Sequence, residues 1–392
     1  MRILIIWGES LAKPGGGTTH YVGLSGGLAA LGHEVTLVTP RYGRPERLHT
    51  GPAAVYAVRL PPRGMASFLL FQLLTVLALP LWLRRHKPDA VYVRTCFFQG
   101  LMALICRLTG RPLVGEVDSV VDEEILMRGQ PRAAAWLIGL LDRVNNRLSS
   151  GLVCVTRGLR EESIRRGGRP ETTVAIPNGA DVDAMQPADQ AAARRALHLP
   201  EAGVLVGFPG TFAVWQGLDQ LIEAAERLRD RRDLRLVLMG SGPMEMELRT
   251  WIDSRGLSEK VLILPPGDPA RVAMFLNACD LSVVPIHDPR KLRYGLSVLK
   301  FWDAVSIGLP VLVPEGCELD DVLADLGLPG AFRQGPDKLA AAIAAVADQV
   351  EVFRHRRAEM HEKVKARYSW QCVAGQVVGF LDRLRSRRGS KP

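Results

Sequence analysis

Apolar positions in the first half of the chain fall into short, nearly continuous runs, set apart by longer stretches with helical spacing. The runs predict strands at Ile3–Trp7, Val35–Thr39, Val55–Arg59, Ala90–Val93, Leu113–Val117, Leu152–Thr156 and Thr173–Ile176. A loop holding Gly15, Gly16 and Gly17 follows the first strand, and a helix is expected from about Thr19 to Leu31. Strands separated by helices imply a parallel sheet covered on both faces. Ligands of such sheets gather beyond the carboxyl ends of the strands.

Near Asp181 the pattern restarts. Asp183–Gln190 reads as a polar linker around Pro187, and strands recur at Val204–Pro209, Leu234–Met239, Val261–Leu264, Leu281–Pro285 and Val311–Pro314. The chain of 392 residues therefore divides into two doubly wound, Rossmann-like α/β domains, residues 1–185 and 186–365. Residues 366–392 are expected to form a helix returning to the first domain, then a basic tail. Two such domains predict a ligand cleft between their strand ends.

Phe68–Leu83 breaks the pattern, being almost wholly apolar and followed by Arg84, Arg85, His86 and Lys87. It is shorter than the ~20 residues needed to span a bilayer. Two readings stand, a helix of the core or one lying in the membrane interface, with the core helix the commoner case. The formal net charge of +9 suits an anionic partner. The basic residues do not gather with aromatics, so no nucleic acid is expected. The densest positive run, Arg383–Lys391, reads as a solvated terminus. Six scattered cysteines without a C-x-x-C pair point to a reducing cytoplasm, and no targeting segment is evident.

The glycine loop can approach an anion at a helix N-terminus, but it is not G-x-G-x-x-G. His33 reads as a turn residue. Asp181-Val182-Asp183 has D-x-D spacing yet sits in a turn, and no cluster has metal-ligand spacing, so no metal or cofactor is expected.

Five segments taken in order resemble the retaining GT-B glycosyltransferases of family 4. They are GGGTTHYVGLSGGLAALGHEVTLVTP, IPNGADVD at 176–183, GTFAVWQGLDQLIEAAERL at 210–228, LVLMGSGP at 236–243 and LKFWDAVSIGLPVLV at 299–313. The resemblance implies a GT-B fold and transfer of a sugar from a nucleotide diphosphate-sugar with retention. It places Gly15, Gly16, Gly17 and Asn178 near phosphates, acceptor or the passage between domains. Gly210, Thr211 and Gln216 fall in the motif that holds the donor diphosphate. Asp303 stands at the acidic position that binds the nucleotide ribose, and Lys300 would face the departing diphosphate. Many members carry an arginine and a lysine where this chain has Thr211 and Gln216. The form Trp215-Gln216-Gly217 with Lys300 is similar to a subgroup with a Trp-x-Gly motif. The first acid of a pair eight positions apart is here Gly295. Near the fifth strand, where many members have a histidine, Glu116 and Asp118 are the available acidic groups.

The expected activity is thus a metal-independent hexosyl or other glycosyl transfer, with Lys300, Glu116 and Asp118 as catalytic candidates. Arg290, Lys291 and Arg293 could add phosphate neutralisation. The acceptor class expected is a glycan, or a lipid-linked or cell-envelope glycan, reached from the cytoplasm or the inner face of the plasma membrane. A non-catalytic sugar-nucleotide binder and a nucleotide-sugar epimerase on the same fold are the alternatives.

Overall fold

A computed structural model describes residues 1–12, 15–43, 51–94, 96–127 and 129–389, the side chains of 388 and 389 excepted. Lys391 of the basic tail lies outside the described residues. The chain forms two compact units: Met1–Gly179 with Trp370–Pro392, and Ala180–Ser369. The chain crosses between the units at 179/180 and 369/370, a few residues from the sequence-drawn limits at 185/186 and 365/366.

The first unit is built on seven parallel strands, β1 (Arg2–Trp7), β2 (Glu34–Tyr42), β3 (Ala54–Leu60), β4 (Ala90–Arg94), β5 (Leu113–Val117), β6 (Gly151–Cys154) and β7 (Thr173–Ala175). Their order is β3-β2-β1-β4-β5-β6-β7, with Ile5 paired to Leu37 on one side and to Tyr92 on the other. Strands covered on both faces read as continuous apolar runs, and Leu4, Ile5, Ile6 and Trp7 are all fully buried. The first helix spans Gly16–Ala30, so Gly16 and Gly17 form its first turn and do not belong to a loop. The terminal helix Trp370–Gly389 packs against it. A Cβ at Gly23 or Gly27 would strike Trp370, so two helix-interior glycines are explained by close approach.

The second unit holds six parallel strands, β8 (Val204–Pro209), β9 (Leu234–Met239), β10 (Val261–Leu264), β11 (Leu281–Val283), β12 (Val311–Pro314) and β13 (Ala331–Phe332). Their order is β10-β9-β8-β11-β12-β13. Asp280, at the entry to β11, is 2% exposed and accepts from Arg194, Arg354 and the Leu205 amide. Such saturation is what lets a charge remain buried.

Candidate functional sites in the two units

In the second unit the strand order reverses at β8, which lies between β9 and β11. The open crevice of a doubly wound sheet forms at such a reversal, beyond the carboxyl ends. Gly210 leaves β8 there with φ of 147°, and a Cβ on it would lie 2.9 Å from the Lys300 Nζ. Gly217 closes the same loop at φ of 74°, and a Cβ on it would strike the Pro285 carbonyl. Both positions need glycine for the loop to fold down onto the strand ends. Lys300 sits one residue inside the helix Leu299–Ser306. Its Nζ donates to Gln216 Oε1 at 2.7 Å and stands 3.8 Å from the centroid of the Phe208 ring. Burial, with no carboxylate partner among the described residues, pulls its pKa down to about 7.

Asp303 lies three positions on along that helix and so shares its side with Lys300. Burial, then the neighbouring charge of Asp181, pushes its carboxyl up to about 7. Asp181 itself accepts from the Ala184 amide at 3.1 Å, a turn contact. Thr211 is exposed on the Gly210 loop. The neighbouring basic loop is partly committed. Arg290 donates to Asp288 at 2.8 Å and 3.1 Å, while Arg293 stacks on Tyr294 at 5.4 Å. Gly295 lacks a carboxylate, but the space a side chain would take there is filled by the carboxylate of Glu318. Glu318 holds φ of 72°, a conformation costly for a residue with a Cβ.

In the first unit the order reverses at β1, which lies between β2 and β4. The end of β1 presents Trp7 and Glu9, β4 presents Tyr92 and Arg94, and β5 presents Glu116 and Asp118. Glu116 is 7% exposed. It accepts from the Tyr92 hydroxyl, from His20 Nε2 at 3.0 Å and 3.1 Å, and pairs with Arg94 Nε at 3.2 Å. Arg94 also pairs with Asp118 and lies 4.5 Å over the Trp7 ring. Burial alone would raise the Glu116 pKa; His20 and Arg94 outweigh it and hold the carboxyl below its ordinary value. The same competition, with Arg94 as partner, lowers Asp118.

His20 is the residue that the strand pattern did not single out. It projects from the second turn of the helix Gly16–Ala30, with Nδ1 2.6 Å from Asn178 Oδ1 and its ring 5.0 Å from that of Trp370. The two Glu116 oxygens beside Nε2 belong to a carboxylate, which accepts, so Nε2 donates to it. Asn178 thereby joins Glu116 through one imidazole. Gly17 lies against the Glu9 carboxylate, which a Cβ would strike, whereas Gly15 has open space around it and Gly16 follows it into the helix. His33 precedes β2 at the opposite end of the sheet, where its Nδ1 meets the terminal amine of Met1 at 2.9 Å. A cavity of about 310 Å³ opens beside β5, lined by Glu9, Phe68, Glu116, Asp118, Asn146 and Arg166 among others. That volume is of the order found for small-molecule pockets.

Residues 14–184 match the model of Glycosyltransferase Family 4, and residues 189–366 match that of Glycosyl transferases group 1. The chain belongs to the GT-B glycosyltransferases. A D-inositol 3-phosphate glycosyltransferase of Geodermatophilus obscurus is 32% identical over 54% of this chain and 47% of its own length. The match thus spans about half of that curated relative. An uncharacterized glycosyltransferase of Methanocaldococcus jannaschii is 23% identical over 96% of both chains. Among solved structures, sucrose-phosphate synthase of Thermosynechococcus elongatus superposes with a TM-score of 0.78 at 18% identity, covering 98% of this chain and 99% of that one. HepE of Anabaena, in complex with UDP-glucose, gives 0.71 at 18% identity, covering 98% and 100%. These likenesses establish the GT-B fold in both units of this glycosyltransferase chain.

Proposed function

We propose that the chain transfers a sugar from a nucleoside diphosphate-sugar to an acceptor hydroxyl, with retention and without a metal. The observation that carries the reading is Lys300, its ammonium set against Phe208 and Gln216 beside Gly210, at the strand-order reversal of the second unit. No side-chain carboxylate neutralises it among the described ion pairs, so its natural counterion is a ligand anion. In this reading the bond from the anomeric carbon to the diphosphate breaks, the acceptor oxygen bonds to that carbon, and the acceptor proton passes to the departing phosphate. Lys300 stabilises the charge that grows on the leaving group. Asp303 accepts the ribose hydroxyls. The UDP-glucose complex of a relative with the same fold supports this choice of donor class.

The cavity beside β5 is the proposed acceptor site, and a glycan or lipid-linked glycan is the class we favour. Glu116, enclosed by His20, Tyr92 and Arg94, is assigned to positioning, with Asp118, the more exposed of the two acids, facing the acceptor. Gln216 and Thr211 line the donor loop.

Two outcomes are expected for the donor site. Asp303 binds sugar nucleotide when ionised, so with a pKa near 7 the acidic limb of kcat/KM should fall below about pH 7; Asp303→Asn flattens that limb and lowers kcat/KM at least tenfold. An unchanged limb would remove Asp303 from the site. Glu318 takes over the carboxylate that Gly295 lacks, holding hydroxyls of the donor sugar. Glu318→Gln should raise the KM for the sugar nucleotide while leaving the Kd of the free nucleoside diphosphate alone. Equal loss for both ligands would make Glu318 structural. A product assay with donor alone separates transfer from epimerisation.

A further inference from the structure

We propose that one face of the first unit is a docking surface for an anionic lipid bilayer. The inference is independent of the sugar-transfer reading. Among the described residues, fourteen of the twenty-two exposed large hydrophobics lie on three helices, Met65–His86, Gln99–Leu108 and Arg132–Leu148. Right-handed crossovers place all three on one side of the sheet, because they lead from β3 to β4, β4 to β5 and β5 to β6 in the same direction. Phe68 meets Phe97 at 5.2 Å, and Asn145 accepts from the Gly100 amide and donates to the Phe97 carbonyl. The helices are therefore neighbours, and their outer residues form one surface.

The helix Met65–His86 is apolar on two sides. Phe71, Leu79 and Leu83 enter the core, fully buried. Leu69, Leu73, Leu77 and Leu81, four residues apart, form a stripe on the opposite side, with Leu77 67% exposed. The second helix adds Leu101, Leu104 and Leu108, and the third Trp136, Leu137, Leu140 and Val144. Monomeric soluble proteins rarely leave so broad an apolar face to water. At 22 residues the first helix is long enough to span a bilayer, but doing so would draw Phe71, Leu79 and Leu83 out of the core. It is placed to lie in the interface instead. The helix thus keeps the core face expected of it and adds an exposed apolar one.

Charge selects the occupant. The first two helices carry no acidic residue, and Asp142 is the single acid of the third. Their carboxyl ends carry Arg84, Arg85, Arg107 and Arg147, and Lys87 follows. These ends lead into a basin of about 1450 Å³ lined by Lys87, Arg107, Arg111, Arg169 and other basic groups against three acids. An apolar face bordered by cations fits acyl chains beneath anionic headgroups.

The test is sedimentation of the full chain with phosphatidylglycerol–phosphatidylcholine vesicles and with phosphatidylcholine alone. Binding to the anionic vesicles is expected, weakened by salt. Leu73→Asp with Leu77→Asp, and separately Arg84→Glu with Arg85→Glu, should each reduce it about tenfold or more without moving the melting temperature, since these side chains are exposed. Trp136 should be quenched by brominated acyl chains, a difference that Trp136→Phe removes. Equal binding to neutral vesicles, or unchanged binding by both double variants, would overturn the proposal. So would a dimer in sedimentation velocity that Leu73→Asp with Leu77→Asp dissociates, coupled with no vesicle binding; the face would then seat a second copy.

Discussion

Lys300→Ala is expected to lower kcat/KM for the sugar nucleotide by about a hundredfold, the scale seen when one donor to developing negative charge is removed. Stability should hold or rise, because the substitution relieves an ammonium desolvated enough to bring its pKa down to about 7. The pH dependence gives the sign. Below about 7 the free protein carries the charged lysine that a diphosphate needs; above it the amine is neutral, and binding must first take up a proton. In Asp303→Asn, which removes the opposing ionisation of the ribose-binding carboxyl, affinity for the nucleoside diphosphate should therefore fall as pH rises through 7, and titration calorimetry in buffers of differing ionisation enthalpy should show proton uptake. Lys300→Arg keeps the charge at every working pH and should abolish that alkaline limb, even at reduced turnover. Affinity indifferent to pH between 6 and 9 in Asp303→Asn, about a unit or more on each side of 7, would place the phosphates elsewhere.

His20→Ala should cost the first unit roughly 2–4 kcal/mol, since it strips a partner from a buried carboxylate while Arg94 and Tyr92 remain. The urea midpoint falls with an unchanged slope. Turnover should drop with it, because Asn178 and Glu116 lose the ring that ties them. Adding Glu116→Gln to His20→Ala should recover part of the stability, as the buried carboxylate left short of one partner is gone. Strictly additive losses would show that the two side chains do not act as one network.

The strands were the most legible part of the fold. Val204–Pro209 and Leu113–Val117 are buried on both faces, so their apolar runs carry the signal directly. Ala331–Phe332 is two residues long at a sheet edge and gives no pattern to detect. Gly16 and Gly17 read as loop because glycine has low helix propensity, yet the first turn of a helix tolerates it. In the candidate sites, Lys300 and Gln216 are 84 positions apart and were linked through the family motif, not through spacing. His20 carried no comparable mark. Its partners Glu116 and Asn178 stand 96 and 158 positions away, and it takes the strand order beside β1 to bring Glu116, and the segment after β7 to bring Asn178, to one imidazole. Glu318 was hidden for a similar reason, because it reaches the Gly295 position from a later loop.

The most direct test of the donor site is a thermal-shift screen of the full chain against nucleoside diphosphate-sugars, run beside Lys300→Ala. A ligand bound only by the folded state raises the melting temperature. At least one sugar nucleotide should stabilise the parent and leave Lys300→Ala unmoved at the same concentration. Equal shifts in both proteins, or none across the panel, would contradict the account.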